Sequence, residues 1–207
     1  MLLPLALVIA TAESGYESVS LRTFDAGTED RLTVGFIPSR ASGPAFATSL
    51  GLRVGFLTLG LRGGVARFED RSLERSVGSY DLWSLAAELG TRVPIGPVEP
   101  YVLIGGGYSA FGGIDDAVDG LGAGLDVDGV NVRAGGGLDI RLRRWLTLGV
   151  RGTGEILFLG RDGMPVRDLA EPREVDTIGE TKQRLLEGDG ASIGSAWSVT
   201  GVLGVRL

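Results

Sequence analysis

Aromatic residues stand at the ends of the alternating segments of this sequence and are rare in their middles. Alternation of apolar and polar residues predicts eight strands, at about 31–37, 45–54, 57–68, 82–93, 100–111, 130–141, 146–158 and 196–207. One rim would hold Phe36, Phe46, Phe68, Tyr80, Trp83, Tyr108, Phe111, Phe158 and Trp197, and the other Phe56, Tyr101 and Trp145. A water-soluble β-domain buries aromatic rings in the middle of its strands, whereas a barrel in a bilayer collects them at the two headgroup levels. The pattern therefore favours a barrel surrounded by lipid.

The connections between the predicted strands are of two kinds. Short turns are predicted at 55–56, 94–98 and 142–145, and longer loops at 38–44, 69–81, 112–129 and 159–195. Short turns at one end and long loops at the other are typical of outer-membrane barrels. Both chain termini would then lie at the short-turn, periplasmic end.

Charged residues within the predicted strands share one phase of the alternation. That phase contains Arg31, Arg53, Arg62, Glu88, Arg92, Arg133, Asp139, Arg141, Arg151, Glu155 and Arg206, and only Arg67 departs from it. Many of its other members are Gly, Ala or Ser, which suit the narrow interior of an eight-stranded barrel. We therefore predict an all-β fold, an eight-stranded antiparallel up-and-down transmembrane β-barrel with the charges in its lumen. A soluble barrel or sandwich would show the same alternation and is the alternative.

Charges enclosed in a narrow lumen need partners, because an unpaired buried ion is strongly disfavoured. Arg62 and Glu88 lie at matching heights on neighbouring predicted strands, and Arg133 and Glu155 are matched across the turn at 142–145. We predict two structural ion pairs, of which Arg62–Glu88 closes the barrel to all but small ions. The remaining lumen arginines are Arg31, Arg53, Arg92, Arg141, Arg151 and Arg206, most of them near the periplasmic mouth.

The composition excludes several classes of function. The 207 residues contain no Cys and no His, and the net charge is −6. A negative chain without a basic patch argues against nucleic acid as a partner. Without His, the side chain that most often serves as a general base is missing. We therefore predict no catalytic residue, no cofactor, no metal site and no enzyme activity.

The predicted loop at 112–129 is rich in aspartate. Asp115, Asp116, Asp119, Asp126 and Asp128 offer the oxygen ligands that Ca²⁺ prefers. Their spacing does not match the helix–loop–helix calcium motif, so a solvated acidic loop is the preferred interpretation and calcium binding the alternative. The longest loop, at 159–195, carries charges of both signs and is the candidate contact for a surface partner, which the sequence does not identify.

An apolar run at 2–12 ends in Ala10-Thr11-Ala12, the pattern of small residues that signal peptidase requires. No Lys or Arg precedes this run, which departs from the usual leader, and an apolar N-terminal strand or arm is the alternative. The predicted organisation is a signal peptide at 1–12, an N-terminal segment at 13–29 and the barrel at 30–207.

Four stretches share one pattern of alternating apolar and small residues: SLGLRVG at 49–55, LTLGLRGG at 57–64, VEPYVLIGGGY at 98–108 and VTGVLGVRL at 199–207. In these stretches the chain resembles the small eight-stranded outer-membrane barrels, the family typified by the transmembrane domain of outer membrane protein A. The resemblance covers roughly residues 30–207. It implies a place in the outer membrane of a Gram-negative-type envelope, with outer-membrane lipid and the barrel-insertion machinery as partners.

Three functions are compatible with these predictions. The first is a non-enzymatic integral envelope protein, in which the barrel supplies anchoring and the surface loops supply recognition. The second is a narrow pore for small ions or solutes, whose positively charged lumen would favour anions. The third is a soluble lipocalin-like binder that holds an apolar ligand inside. Eight strands enclose an interior that side chains can fill, which argues against a large channel.

Overall fold

A computed structural model describes residues 7–21, 40–69, 79–112, 127–161 and 190–207 of the chain. The strands in chain order are β1 Leu7–Leu21, β2 Arg40–Val54, β3 Leu57–Glu69, β4 Ser79–Arg92, β5 Val98–Gly112, β6 Val127–Arg141, β7 Leu146–Arg161 and β8 Gly190–Arg206. The shortest has 13 residues and the longest 17, more than the roughly 9–11 that cross a bilayer at a tilt. No helix in the described residues is long and apolar enough to cross a membrane.

The strands close into a barrel in the order β1 to β8, and each neighbouring pair is antiparallel. Closure is made by β1 and β8, whose register places Ile9 opposite Arg206 and Leu21 opposite Gly194. A closed sheet leaves no strand edge with unpaired backbone groups, which is the condition for a sheet to lie in a bilayer. The eight-stranded antiparallel up-and-down barrel predicted from the sequence is confirmed.

The two ends of the barrel differ in their connections. At one end the strands are joined by residues 55–56, 93–97 and 142–145, and we name it the turn end; the opposite end is the loop end. Gly55 is the first residue of the two-residue hairpin between β2 and β3 and has a φ of 64°, which glycine adopts without steric cost. The first residue of β1 and the last of β8 lie at the turn end, as predicted.

The first strand of the barrel differs from the prediction. β1 lies at Leu7–Leu21, whereas the predicted first strand at 31–37 falls outside the described residues. In the described residues the barrel thus includes a strand that precedes residue 30. β1 takes residues from both the predicted signal peptide at 1–12 and the predicted N-terminal segment at 13–29, and cleavage after residue 12 would divide it. The signal peptide itself stays a prediction.

The hydropathy of β1 explains why its strand pattern is hard to detect. Its outward residues include Ala12 and Ser14, which are small or polar, while apolar Ile9 and Val19 are buried on the inward side. An alternation with this phase does not match the apolar-outward pattern of the other strands. The apolar residues before Ala12 therefore resemble a leader more than they resemble a membrane strand.

The outer surface of the barrel is apolar around its middle. Leu50, Leu61, Leu89 and Ile104 point outward and are between 48% and 62% exposed. A soluble barrel directs its apolar phase inward, so the soluble lipocalin-like interpretation does not fit this structure. A continuous apolar belt of this kind needs lipid around it.

The aromatic residues divide between the two faces of the sheet. In the described residues the outward rings are Tyr16, Phe46, Trp83, Tyr108, Phe158 and Trp197 toward the loop end, and Phe56 and Trp145 at the turn end. Four others, Phe68, Tyr80, Phe111 and Tyr101, are buried inside the barrel, so their assignment to the lipid-facing rims is wrong. Phe36 lies outside the described residues. Because the strands extend beyond the hydrocarbon layer, a ring near a strand end can pack into the lumen as well as against headgroups.

Candidate functional site: the barrel lumen

Inward side chains fill the described part of the lumen in three zones. The mouth cluster, at the turn end, consists of Glu99, Arg53, Arg141 and Arg206. The central network consists of Arg62, Glu13, Arg151, Glu88, Arg133 and Glu155. The apolar plug, at the loop end, consists of Val19, Leu21, Ala45, Ala66, Phe68, Tyr80, Leu82, Phe111, Val127, Leu157, Leu159 and Ala196. All eight strands contribute, because each strand points every second side chain inward.

Glu99 is the centre of the mouth cluster and has no exposed surface. Its carboxylate accepts hydrogen bonds from Arg53 Nη1 at 3.0 Å and from Arg206 Nη1 at 2.9 Å, and it also accepts one from Arg141. Arg53 donates from Nε to the carbonyl oxygen of Gly55, 2.9 Å away. Three guanidiniums on one carboxylate join β2, β6 and β8 to the beginning of β5.

An ion pair of one arginine and one aspartate, with no net charge, lies beside the mouth cluster. Arg92 and Asp139, both buried, form a salt bridge. The guanidinium carbon of Arg92 lies 4.1 Å from the centre of the Tyr101 ring, within the range of a cation–π contact. The Tyr101 hydroxyl accepts a hydrogen bond of 3.4 Å from Arg151 Nε. Tyr101 thus connects this pair to the central network.

One half of the central network is organised by Glu13 of β1. Glu13 Oε2 accepts hydrogen bonds from Arg62 Nη2 at 3.1 Å and from the Thr200 hydroxyl at 3.3 Å. Its other oxygen lies 2.9 Å from Arg151 Nη1, which is also 3.3 Å from Glu88. These contacts connect β3, β1, β7 and β4 across the lumen, including strands that are not neighbours in the sheet.

The other half of the central network is built on Arg133, which is 1% exposed. Arg133 lies directly opposite Glu155 in the register of β6 and β7, and the guanidinium Nη2 is 3.0 Å from the carboxylate. Arg133 Nη1 is 3.6 Å from Glu88. The structure therefore brings Arg133 and Glu155 together and adds Glu88 as a second partner of the same guanidinium.

The predicted Arg62–Glu88 ion pair is not formed, because each of the two residues contacts other partners. In the register of β3 and β4, Arg62 lies opposite Ala86, while Glu88 lies opposite Gly60, so the two charges are offset by two positions. Arg62 contacts Glu13 instead. Matching residues on adjacent strands overlooks partners across the lumen, which a long side chain reaches easily in a barrel of eight strands.

Two uncharged polar pairs also lie in the lumen, next to the central network. The Asn131 side-chain amide donates a hydrogen bond of 2.6 Å to Ser109 Oγ. The hydroxyls of Thr153 and Ser198 are 2.5 Å apart. All four residues are buried, so each pair satisfies polar groups that would otherwise lie in the lumen without a partner.

The apolar plug closes the loop end of the described lumen. Phe68 and Leu157 have no exposed surface, and the ring of Tyr80 lies 5.4 Å from that of Phe68 and 5.8 Å from that of Phe111. These separations are typical of favourable aromatic contacts. The prediction that the inward phase is polar along the strands therefore fails at this end, because the inward residues there are apolar.

The predicted lumen arginines fall into separate zones. Arg53, Arg141 and Arg206 are in the mouth cluster, Arg92 pairs with Asp139, and Arg151 belongs to the central network. Arg31 lies outside the described residues. Most of these arginines thus have a specific carboxylate partner that the sequence-based pairing did not assign.

Sequence reasoning missed two carboxylates, Glu13 and Glu99, that organise the lumen. Glu13 directly follows the predicted cleavage site, so it is not considered part of a strand. Glu99 precedes the predicted start of its strand at Pro100. Extending that strand by one residue places Glu99 in the same phase as Tyr101, and this is the signal that would have found it.

A small cavity of about 40 Å³ lies among the side chains of the central network and the neutral pair. Thr11, Ser49, Thr58, Arg92 and Arg151 are among the residues that line it. A cavity of this size and polarity has room for a few water molecules. It offers no space for a larger ligand.

Metal binding has no support in the described residues, where no group of three or more acidic, His or Cys side chains is placed to hold an ion. The aspartates of the predicted acidic loop, Asp115, Asp116, Asp119 and Asp126, lie outside the described residues. Asp128, at the beginning of β6, accepts a hydrogen bond from the Tyr108 hydroxyl on the outer surface.

The fold, a closed barrel of eight antiparallel strands, is that of small outer-membrane β-barrels of known structure. The structure is similar to that of Neisserial surface protein A, with a TM-score of 0.61 and 12% sequence identity over 96% of each chain. It is also similar to the outer membrane protein OprG from Pseudomonas aeruginosa, with a TM-score of 0.57 and 10% identity over 96% of this chain and 95% of that one. No family model and no curated protein sequence matches the chain.

Proposed function

We propose that the chain is a non-enzymatic integral protein of the outer membrane, anchored by a barrel that its own side chains close. The observation that carries this proposal is the combination of an apolar exterior with a lumen filled at three levels. Outward leucines and isoleucines need lipid, and inward ion pairs and aromatic rings leave little open volume. A barrel of this kind serves as a membrane anchor. Any partner would then be contacted by residues that lie outside the membrane.

The turn end would face the periplasm and the loop end the cell exterior. Short turns on the periplasmic side and long connections outside are the usual arrangement in outer-membrane barrels. The connections at 22–39, 70–78, 113–126 and 162–189 would then be available to surface partners. Outer-membrane lipid and, during assembly, the barrel-insertion machinery are the other partners of this proposal.

The absence of enzyme activity is part of the same proposal. The chain has no His and no Cys, which removes the commonest general base and the most nucleophilic side chain. Glu13, Glu88 and Glu155 each contact a guanidinium in the central network. Carboxylates held in this way serve as structural acceptors and are not open to a substrate.

Membrane fractionation tests the location. The protein should sediment with outer membrane, resist carbonate extraction and migrate differently on gels before and after heating. An outward arginine should destabilise in proportion to its depth: Leu50→Arg by about 2–4 kcal/mol and Val54→Arg, at the turn end of the same strand, by about 1 kcal/mol or less. Recovery of folded, monodisperse protein without detergent would refute the proposal.

A narrow anion-selective pore is the second candidate, and the charge at the turn end favours it. The turn end carries Arg53, Arg92, Arg141, Arg143, Arg144 and Arg206 against Glu99 and Asp139. Single-channel recordings in planar bilayers separate the candidates. A plugged barrel should give no resolved openings, whereas reproducible openings with a chloride preference would favour the pore.

Cleavage of a leader after Ala12 is a further proposal. It would leave Glu13–Leu21 in β1, a length that still crosses a bilayer at a tilt. It would also remove Ile9 and Thr11, which pair with the last residues of β8. N-terminal sequencing of exported protein distinguishes a chain that starts at Glu13 from one that retains the residues before it.

A further inference from the structure

The mouth cluster has more arginines than carboxylates, so its positive charge is only partly compensated. In the described residues, Arg53, Arg141 and Arg206 share Glu99 as their carboxylate partner. The neighbouring Arg92 is already compensated by Asp139. Three guanidiniums and one carboxylate leave a surplus of two positive charges, and the guanidiniums of Arg53 and Arg206 are shielded from water. Charges in such a place are stable only when a counter-charge or hydrogen-bond acceptors reach them.

The geometry of the hydrogen bonds shows that donors remain after Glu99 is satisfied. Each guanidinium carries five N–H donors, while one carboxylate accepts about four hydrogen bonds. Arg206 is 7% exposed, and its Nε has no hydrogen-bond partner although it is buried. A buried donor without an acceptor is destabilising, and more so when the group is charged. The cluster therefore lacks an acceptor at this position.

The mouth cluster is also accessible from the turn end. The Arg141 side chain is 38% exposed, whereas that of Glu99 is fully covered. The turn that follows Arg141 adds two more exposed arginines, Arg143 and Arg144, and no carboxylate. Positive charge around an opening raises the local concentration of anions.

The central network shows that this surplus is particular to the mouth. Its six members are three arginines and three carboxylates, which alternate in space. The central network therefore has no net positive charge to attract an anion, whereas the mouth cluster has a surplus.

We propose that the mouth cluster is a binding site for a phosphate-type oxyanion, with Arg141 and Arg206 as its donors beside Glu99. The planar guanidinium fork matches the oxygens of a phosphate group, which explains the use of arginine in place of lysine. The site goes beyond the anchoring function and does not require the lumen to conduct. The phosphate belongs either to a free ion or to the headgroup of a membrane lipid.

The test uses the full chain folded in a micelle of uncharged detergent. Thermal unfolding and calorimetric titration are measured with inorganic phosphate and with chloride at equal ionic strength. A ligand that binds the folded barrel raises its melting temperature as its concentration rises. We expect phosphate to raise it and chloride to have a smaller effect.

Substitutions at Arg141 locate the site, with Arg143→Gln as the matched control. Arg141→Gln should weaken phosphate binding about tenfold, the loss of one charge-assisted hydrogen bond. Arg143→Gln removes the same charge from an exposed turn residue and should leave the affinity within about twofold of wild type. Arg141→Lys keeps the charge without the fork and should lie between the two; it also replaces Arg141→Gln if that variant does not fold.

Lipid nanodiscs identify the source of the phosphate. One arm uses phosphatidylcholine alone and the other adds phosphatidylglycerol, both without free phosphate. A rise in melting temperature with phosphatidylglycerol that Arg141→Gln abolishes assigns the site to a headgroup; a response to free phosphate only assigns it to a dissolved ion. No response in either arm, or equal losses in Arg141→Gln and Arg143→Gln, would overturn the site.

Discussion

The two ends of the lumen are filled in opposite ways. From the mouth cluster to the central network, the lumen contains arginines and carboxylates held by directional hydrogen bonds. At the loop end the apolar plug fills the same kind of space with aliphatic and aromatic side chains. Removing one side chain from a buried ion pair leaves the other charge without a partner, which is strongly destabilising. Removing atoms from an apolar cluster costs only the packing contacts of those atoms. The difference predicts how each end responds to substitution.

The largest effect is expected at the centre of the mouth cluster. Glu99→Ala removes the carboxylate that three arginines share and should lower the free energy of unfolding by about 3–5 kcal/mol. Denaturant titration of the refolded protein in detergent measures it. Arg144→Gln, an exposed charge on the neighbouring turn, is the control and should stay within about 0.5 kcal/mol of wild type. A change below about 1 kcal/mol for Glu99→Ala would mean that the arginines need no buried counter-charge.

The apolar plug should respond by loss of packing and without dependence on salt. Leu157→Ala removes a side chain with no exposed surface and should cost about 2–3 kcal/mol. The preceding residue on β7, Ile156, points outward. Ile156→Ala should cost less, because lipid fills the space. The free energy of unfolding of both variants is measured at low and at high salt, and neither loss should change with salt concentration. Equal costs for the two variants would show that the plug is not packed as described.

A double-mutant cycle sharpens the assignment of partners in the central network. Arg62→Gln combined with Glu13→Gln should show a coupling energy of about 1–2 kcal/mol, because the two residues are in direct contact. Arg62→Gln combined with Glu88→Gln should show a smaller coupling energy, because these two residues are linked only through Glu13 and Arg151. The reverse order of the two couplings would restore the pairing predicted from the sequence.

The smallest effect is expected where neither charge nor apolar area is involved. Thr153→Val removes one hydrogen bond to Ser198 and should cost about 1 kcal/mol. Thr48→Val, on the outward face of β2, gives lipid a methyl group in place of a hydroxyl and should be neutral or stabilising. A loss above about 3 kcal/mol for Thr153→Val would place this pair within the charged network.

Much of the barrel can be predicted from local sequence. Seven of the eight strands overlap the predicted segments, and the hairpin at Gly55 and Phe56 lies where glycine and the alternation place it. The first strand could not be found in this way, because most of its outward residues are small or polar, while Ile9 and Val19 point inward. A leader and such a strand have similar hydropathy, and only the pairing of β1 with β2 and β8 separates them.

The candidate site was predictable in its residue types and only partly in its contacts. The alternation by itself determined that Arg53, Arg133 and Glu155 share the inward phase, since side chains of a strand change faces at every residue. Partners across the lumen depend on the tilt, closure and circumference of the barrel, which no stretch of a single strand encodes. Tertiary structure alone therefore gave Arg62 its contact with Glu13 and gathered three arginines around Glu99. Phe68 has the same phase as Arg62 on β3, so its inward position also follows from the alternation. Its packing against Tyr80 in the apolar plug was decided by the tertiary structure, because the two rings stand on neighbouring strands.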